Sequence, residues 1–333
     1  EGRKVRVGFV SNKLKKHTIG RLNRGLIENL SREKFEVSVF QFPHRPDPLS
    51  RTIQEGADNP LALPDDVAGA RRRIADEELD ILVYTDIGMD PIVYFLAFAR
   101  LAPVQCVTWG HPDTTGIDSI DYFVSSQLME PEGAESHYSE RLVRLGPMSV
   151  FYLRPAPPDP AKGRAALGLG EDSTLYVCPQ TLFKFHPDFD PMLAAILRGD
   201  PKGDLILVEG QHDNWRRLFL ERFGGGAPDV VNRVRFLHPL SHEDFMGLLG
   251  AADVLLDTPH FCGSNTSYEA LAVGTPIVTL PGSFMRGRIT HALYRQMEIT
   301  DCVAESAEDY VAIALGLGTD ADKRRRLGER ILA

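Results

Sequence analysis

The chain has 333 residues, enough for two domains that each bury a core, and its 43% hydrophobic and 25% charged residues are those of a globular protein. A formal net charge of −9 excludes a generic nucleic-acid binder, whose surface must be basic enough to neutralise phosphates. No apolar run reaches the roughly 18 residues that a membrane span requires. The four cysteines, Cys106, Cys178, Cys262 and Cys302, form no CxxC pair, which argues against a disulfide framework or a zinc site.

The first half alternates strand and helix signals. Val5 to Ser11 reads as a strand, Thr18 to Leu30 as a helix, and Phe35 to Phe42 alternates as a strand does. The rhythm continues with a helix over Val67 to Glu78, a strand over Ile81 to Thr85, a helix over Pro91 to Arg100, and strands over Pro103 to Trp109 and Asp121 to Ser125. Such βα alternation predicts an α/β fold with a parallel sheet covered on both faces. Proline and glycine crowd Pro147 to Gly170, a stiff linker that divides the chain into domains 1–155 and 156–333. Beyond it come a strand over Thr174 to Cys178, a helix over Asp188 to Leu197, and a strand over Asp204 to Glu209. A helix near Asn214 to Phe223, a strand over Val234 to Leu237, a helix from His242 to Ala251 and a strand over Val254 to Asp257 complete this run. The chain is read as closing in one charged helix, and its true product as extending beyond both Glu1 and Ala333. The basic clusters Arg71 to Arg73 and Lys323 to Arg326 read as solvated faces, and the cysteines as reduced core residues of a cytoplasmic protein.

In open α/β sheets ligands bind at the carboxyl ends of the strands. Five polar or glycine- and proline-rich stretches fall there: Ser11 to Gly20, Trp109 to Gly116, Pro179 to Pro187, His238 to Phe245, and Asp257 to Gly282. In the last, Gly263-Ser264-Asn265-Thr266-Ser267 leads into a helix whose first N–H groups suit a phosphate, and Glu269 is placed to accept from sugar hydroxyls. Lys184 is a candidate phosphate cation, Phe245 a wall for a base, and Gly110, followed by His111 and Pro112, a point of close approach. Gln180, Thr181, Phe183 and His242 share these loops and complete the donor-binding set. His17 is the candidate general base, with His111 a second.

Taken in order, these stretches resemble the catalytic region of the O-GlcNAc transferase and SPINDLY family. The resemblance rests on VRVGFVSNKLKKH, QCVTWGHPDTTG, IDYFVSS, YVCPQTLFKFHPD and, most specifically, ADVLLDTPHFCGSNTSYEALAVGTPIVTLPG. It implies a GT-B fold of two facing Rossmann-like domains, with an N-terminal acceptor side and a C-terminal donor domain. It also implies inverting transfer without metal or cofactor, from a nucleotide-sugar donor to a Ser or Thr hydroxyl of a protein or peptide. Under the resemblance Lys184 contacts the donor diphosphate, and Asn265, Thr266 and Ser267 supply the helix-start contacts. Glu269 stands at the ribose-binding position, Gly110 and Pro112 lie by the sugar, and His17 belongs to the acceptor side.

The chain departs from the family pattern at Phe245, where the eukaryotic enzyme has a base-stacking histidine, at the Asn-Thr-Ser turn, and at Glu269, which replaces an aspartate. UDP-GlcNAc is the expected donor, with UDP-glucose and GDP-fucose open. A nucleotide-sugar epimerase on the same fold and a non-catalytic nucleotide-sugar-binding module are the other readings. The oligomeric state is not encoded in any motif.

Overall fold

The computed structural model describes residues 2–333, which divide into two compact units meeting in sequence at Leu153 and Arg154. The first contains β1 (Val5–Ser11), α1 (Thr18–Asn29), β2 (Phe35–Gln41), α2 (Pro48–Glu55), β3 (Asn59–Ala62) and α3 (Val67–Ala75). After these come β4 (Ile81–Tyr84), α4 (Pro91–Leu96), β5 (Val104–Thr108), β6 (Tyr122–Ser126) and β7 (Arg141–Leu145). The second contains β8 (Thr174–Cys178), α5 (Phe189–Gly199), β9 (Gly203–Val208), α6 (Asp213–Gly226), β10 (Val234–Leu237) and α7 (His242–Ala251). It continues with β11 (Val254–Leu256), α8 (Asn265–Ala272), β12 (Ile277–Val278), α9 (Ile289–Gln296), α10 (Ala307–Thr319) and α11 (Ala321–Leu332).

Each unit is a parallel sheet, as the βα rhythm predicts. The first runs β3-β2-β1-β4-β5-β6-β7 and the second β10-β9-β8-β11-β12. In the first, Val7 and Phe9 of β1 and Val37 and Val39 of β2 pack with Ile19 and Ile27 of α1. Each such side chain contributes about 1.5–3 kcal/mol on burial. In the second, Leu175, Val177 and Ile206 of β8 and β9 meet Leu248 of α7. Strand order reverses between β1 and β4 and again between β8 and β11, and such a switch point is where open α/β sheets bind ligands.

Two strands escape the periodicity argument. β3 carries Pro60 and β7 carries Arg141 and Arg144 among its aliphatic residues, and both are edge strands, where proline and charge are tolerated because one side of the backbone is unpaired. The expected single closing helix is instead two, α10 and α11. Asp320 breaks it by leaving helical geometry and accepting a hydrogen bond from Lys323 N–H at 2.8 Å, as an N-cap does. All four cysteines are free, and Cys178, Cys262 and Cys302 are buried. Among the described residues no helix is long and apolar enough to cross a membrane.

The cluster at 323–326 is not wholly a solvated face. The guanidinium of Arg324 on α11 lies 2.8 Å from the buried carboxylate of Asp253. That carboxylate also accepts from Arg164 at 2.6 Å and from Leu175 N–H at 2.8 Å. One aspartate thereby ties the segment before β8, β8 itself and the last helix together. Asp253→Ala removes the counter-charge shared by two guanidinium groups and the acceptor of the Leu175 N–H, and is expected to cost about 3–5 kcal/mol. The measurement is the urea midpoint at unchanged slope; a loss below about 1 kcal/mol would mean the ions are already solvated.

Candidate active site

At the switch point of the second unit, the loop leaving β8 brings Lys184 against the loop leaving β11. The ammonium donates to Gln180 Oε1 at 3.0 Å and to the Cys262 carbonyl at 2.9 Å, and stands 4.4 Å from the centre of the Phe261 ring. Burial lowers its pKa from the ordinary lysine range, opposed by attraction to Asp257 and the neighbouring thiols. Two oxygen acceptors and an aromatic face hold a charge in place that neither of them neutralises. Lys184 is therefore a positioned cation and not a solvated surface lysine.

Asp257, one residue past β11, organises the turn that follows. Its carboxylate accepts from Gly263 N–H at 2.7 Å and from Thr279 Oγ1 at 2.9 Å, while burial raises its pKa against those bonds and against the attraction of Lys184. A side chain at position 263 would press on Ser267 Oγ and Gln180 Nε2, so only glycine lets the turn close. Gly263 N–H and the Ser267 hydroxyl, which bonds Thr290 Oγ1 at 2.8 Å, both point into the protein. At the start of α8 the Ser267 N–H and Tyr268 N–H turn back to the Ser264 carbonyl, and the aligned N–H dipoles make this end of the helix positive.

Glu269 lies buried one turn into α8, with Oε1 3.8 Å from Nδ1 of His242, the first residue of α7. Phe245 is half-buried on the same helix, and Thr181 and Phe183 are exposed on the loop after β8, where Phe183 meets the rings of Trp215 and Phe261 at 6.1 Å. Lys184, Gln180 and Gly263 thus form one cluster and His242 with Glu269 a pair, brought together from stretches far apart in sequence.

In the first unit the switch point carries different chemistry. His17 is the N-cap of α1: its Nδ1 accepts from Ile19 N–H at 3.2 Å. Burial lowers its pKa to about 4, with Lys13, Lys15 and Arg21 adding repulsion. A capped Nδ1 fixes the neutral tautomer with its proton on Nε2, so the ring offers a donor, and a base role would require breaking the cap. Gly110 does allow close approach, but to the Thr85 carbonyl and Ile19, against which any Cβ would collide. His111 packs over Gly88, with Nε2 4.0 Å from Asp113, and Pro112 is half-buried beside it. The loop is fastened further on, where Glu140 accepts from Thr114 Oγ1 at 2.7 Å and Thr115 N–H at 2.8 Å.

Asp86 was not legible as a site residue. It follows β4, is fully buried, and accepts from Thr85 Oγ1 at 3.0 Å, while its Oδ2 has no hydrogen-bond partner among the described residues. Burial raises its pKa, and nearby Asp90 adds to the rise. An acid within two residues of the end of an apolar strand is the signal that marks both Asp86 and Asp257.

Comparison with known proteins places this geometry. A sequence model of glycosyl transferase family 41 matches residues 1–153 and 160–333. The Oryza sativa subsp. japonica protein "Probable UDP-N-acetylglucosamine--peptide N-acetylglucosaminyltransferase SPINDLY" is 31% identical over 239 residues, covering 68% of this chain and 25% of that protein. A "UDP-glucose:protein N-beta-glucosyltransferase" of Actinobacillus pleuropneumoniae is 26% identical over 255 residues, covering 76% of this chain and 40% of that one. The solved structure of a Thermobaculum terrenum O-GlcNAc transferase mutant superposes with a TM-score of 0.85 at 31% identity, covering 99% of this chain and 62% of its own. The chain spans a quarter to two-fifths of the length of these two curated relatives. The α/β architecture of two parallel sheets is that of GT-B glycosyltransferases.

The depressed His17 pKa gives stability a pH dependence. An unfolded histidine takes a proton near pH 6.5, whereas the folded ring stays neutral down to about 4, so the stability it contributes is complete above 6.5 and lost as pH falls through that window. His17→Asn keeps a capping side chain without the titration and is expected to flatten the decline in melting temperature between pH 6.5 and 4. His17→Ala, which also loses the cap, should be less stable at pH 7.5 by about 0.5–2 kcal/mol. His291, also lowered to about 4 by burial, accounts for part of the decline that remains. An unchanged profile in the Asn variant would show that His17 is not held neutral.

Proposed function

The chain belongs to glycosyl transferase family 41, and from that premise we propose that it is the catalytic region of an enzyme moving GlcNAc from UDP-GlcNAc to a Ser or Thr hydroxyl of a protein, with inversion at the anomeric carbon. The observation that carries this reading is Lys184, an ammonium fixed at the switch point of the second unit beside the positive end of α8. A leaving nucleoside diphosphate gains negative charge as the glycosidic bond breaks. Fixed cations and N–H dipoles stabilise that charge without reorganising, and do so more strongly where water is excluded. Lys184 and the start of α8 take this role, in place of a metal at the diphosphate.

Gln180 and the Cys262 carbonyl orient the ammonium, and the energy spent in desolvating Lys184 is recovered when phosphate oxygens replace the missing water. Glu269, held next to His242, accepts from the ribose hydroxyls, and Phe245 on α7 lies against the base. Asn265 and Thr266 meet the phosphates, with Thr181 and Phe183 on the loop that covers them. In the first unit, the loop of Gly110, His111 and Pro112 accompanies the sugar. His17 serves the acceptor side as a neutral Nε2–H donor that orients the hydroxyl and not as its base. The relatives named for UDP-GlcNAc and UDP-glucose transfer to peptide or protein support a UDP-sugar donor and a protein acceptor.

Calorimetric titration with UDP-GlcNAc, UDP-glucose and GDP-fucose tests the reading. UDP-GlcNAc is expected to bind tightest, and failure of all three to bind would overturn it. Lys184→Met should weaken UDP binding by about 1.5–3 kcal/mol, the scale of a hydrogen bond to a charged group; an affinity equal to that of the unaltered chain would remove Lys184 from the site.

A further inference from the structure

Two histidines and an aspartate that the transfer chemistry leaves unused stand together in the second unit. His186 lies two residues past Lys184 on the loop after β8, Asp188 immediately precedes α5, and His260 lies on the loop after β11. Asp188 Oδ2 is 3.2 Å from His186 Nδ1 and 3.0 Å from His260 Nε2, and the three donor atoms lie within 4.8 Å of one another. The two rings meet edge-on, 4.7 Å between centres and 76° between planes.

These separations match a coordination shell. With bonds of about 2.0–2.1 Å, the ligands of a tetrahedral zinc ion stand about 3.3–3.4 Å apart, close to the 3.2 and 3.0 Å of the two carboxylate–imidazole pairs, and the two imidazole nitrogens lie within 4.8 Å of each other. The Asp188 N–H, 3.3 Å from His186 Nδ1, selects the neutral tautomer whose Nδ1 carries a lone pair, the form a metal needs; this long bond is the one given up on binding. All three side chains are exposed, so an ion has a path to them. They line a cavity of about 320 Å³ with Gly282, Ser283, Phe284 and Arg286, which leaves room for a further ligand. The Arg286 guanidinium carries the charge that complements a hydroxide or carboxylate at that open position.

We propose that His186, Asp188 and His260 bind one divalent transition ion of the zinc type. Two imidazoles and one carboxylate are a donor set for zinc and related first-row ions, not for calcium or magnesium, which take oxygen ligands. The ion joins the loop that carries Lys184 to the loop that carries Cys262, whose carbonyl holds the Lys184 ammonium. It is separate from the diphosphate cation proposed above and stands whether or not the chain binds a nucleotide sugar.

The test is titration of the chain, cleared of metal by a chelator that is then removed, with Zn²⁺ in competition with a chromophoric chelator, and with Co²⁺ as a spectroscopic probe. One Zn²⁺ per chain is expected, with a dissociation constant below about 1 μM. His260→Ala and Asp188→Asn should each weaken it by at least about tenfold. Co²⁺ should give visible bands without thiolate charge transfer. Zn²⁺ should raise the melting temperature of the unaltered chain and not that of His260→Ala. Binding weaker than about 100 μM, binding unchanged in both variants, or thiolate charge-transfer bands would each overturn the proposal.

Discussion

The carboxylate of Asp257 is the interaction on which the second unit's site depends. It is a charge carried into the protein at the end of a buried strand, and burial alone would drive it neutral. What keeps it is a set of donors from elements that otherwise have no reason to meet. Gly263 N–H arrives from the turn before α8 and Thr279 Oγ1 from just past β12, while the Tyr310 hydroxyl of α10 holds the main-chain carbonyl of the same residue at 2.9 Å. Lys184 adds its charge from the loop after β8. Satisfying one buried acid therefore fixes the turn, the helix start and the cation in a single arrangement. A partly satisfied version would be costly, because an unpaired polar group in such surroundings loses its water and gains nothing.

The first unit repeats the device with a different outcome. Asp86 lies two residues past β4 at the corresponding reversal of strand order, but there its Oδ2 finds no partner among the described residues and no lysine is clamped against it. Nearby polar groups are spent on structure: Asn12 Nδ2 bonds Asp90 at 2.7 Å, His17 caps α1, and Glu140 fastens the loop after β5. One switch point is thus built around an anchored cation and the other around a neutral ring and a buried acid.

Much of this was written in local patterns. The helix start at Asn265, the strands at Val5, Thr174 and Val234, and Lys184 as a cation at a strand end all follow from periodicity and turn chemistry within a few residues. What such reasoning leaves out is the distant neighbour. Gly110 permits close approach, yet what approaches is the Thr85 carbonyl, across a strand boundary that the local pattern does not specify. Ser267 stands at the helix start, and its hydroxyl bonds that of Thr290, 23 residues on. His17 reads equally well as base or cap until the Ile19 N–H is found at its Nδ1.

The sequence by itself determined the α/β class, the two-unit division near the proline-rich segment, and the presence of a glycine-turn helix start next to a lysine loop. These depend on burial periodicity and on backbone conformations that each short segment carries alone. Only the tertiary structure decided which strands are neighbours, and hence that the sheets reverse order between β1 and β4 and between β8 and β11. That ordering places Asp257 under Gly263, Lys184 on the Cys262 carbonyl, and His186 and Asp188 beside His260, 72 residues from Asp188 in the chain. The physical reason is that a strand's hydrophobic pattern fixes which faces are buried but not which strand lies beside it, while the charge of a buried group is settled by neighbours that only packing supplies.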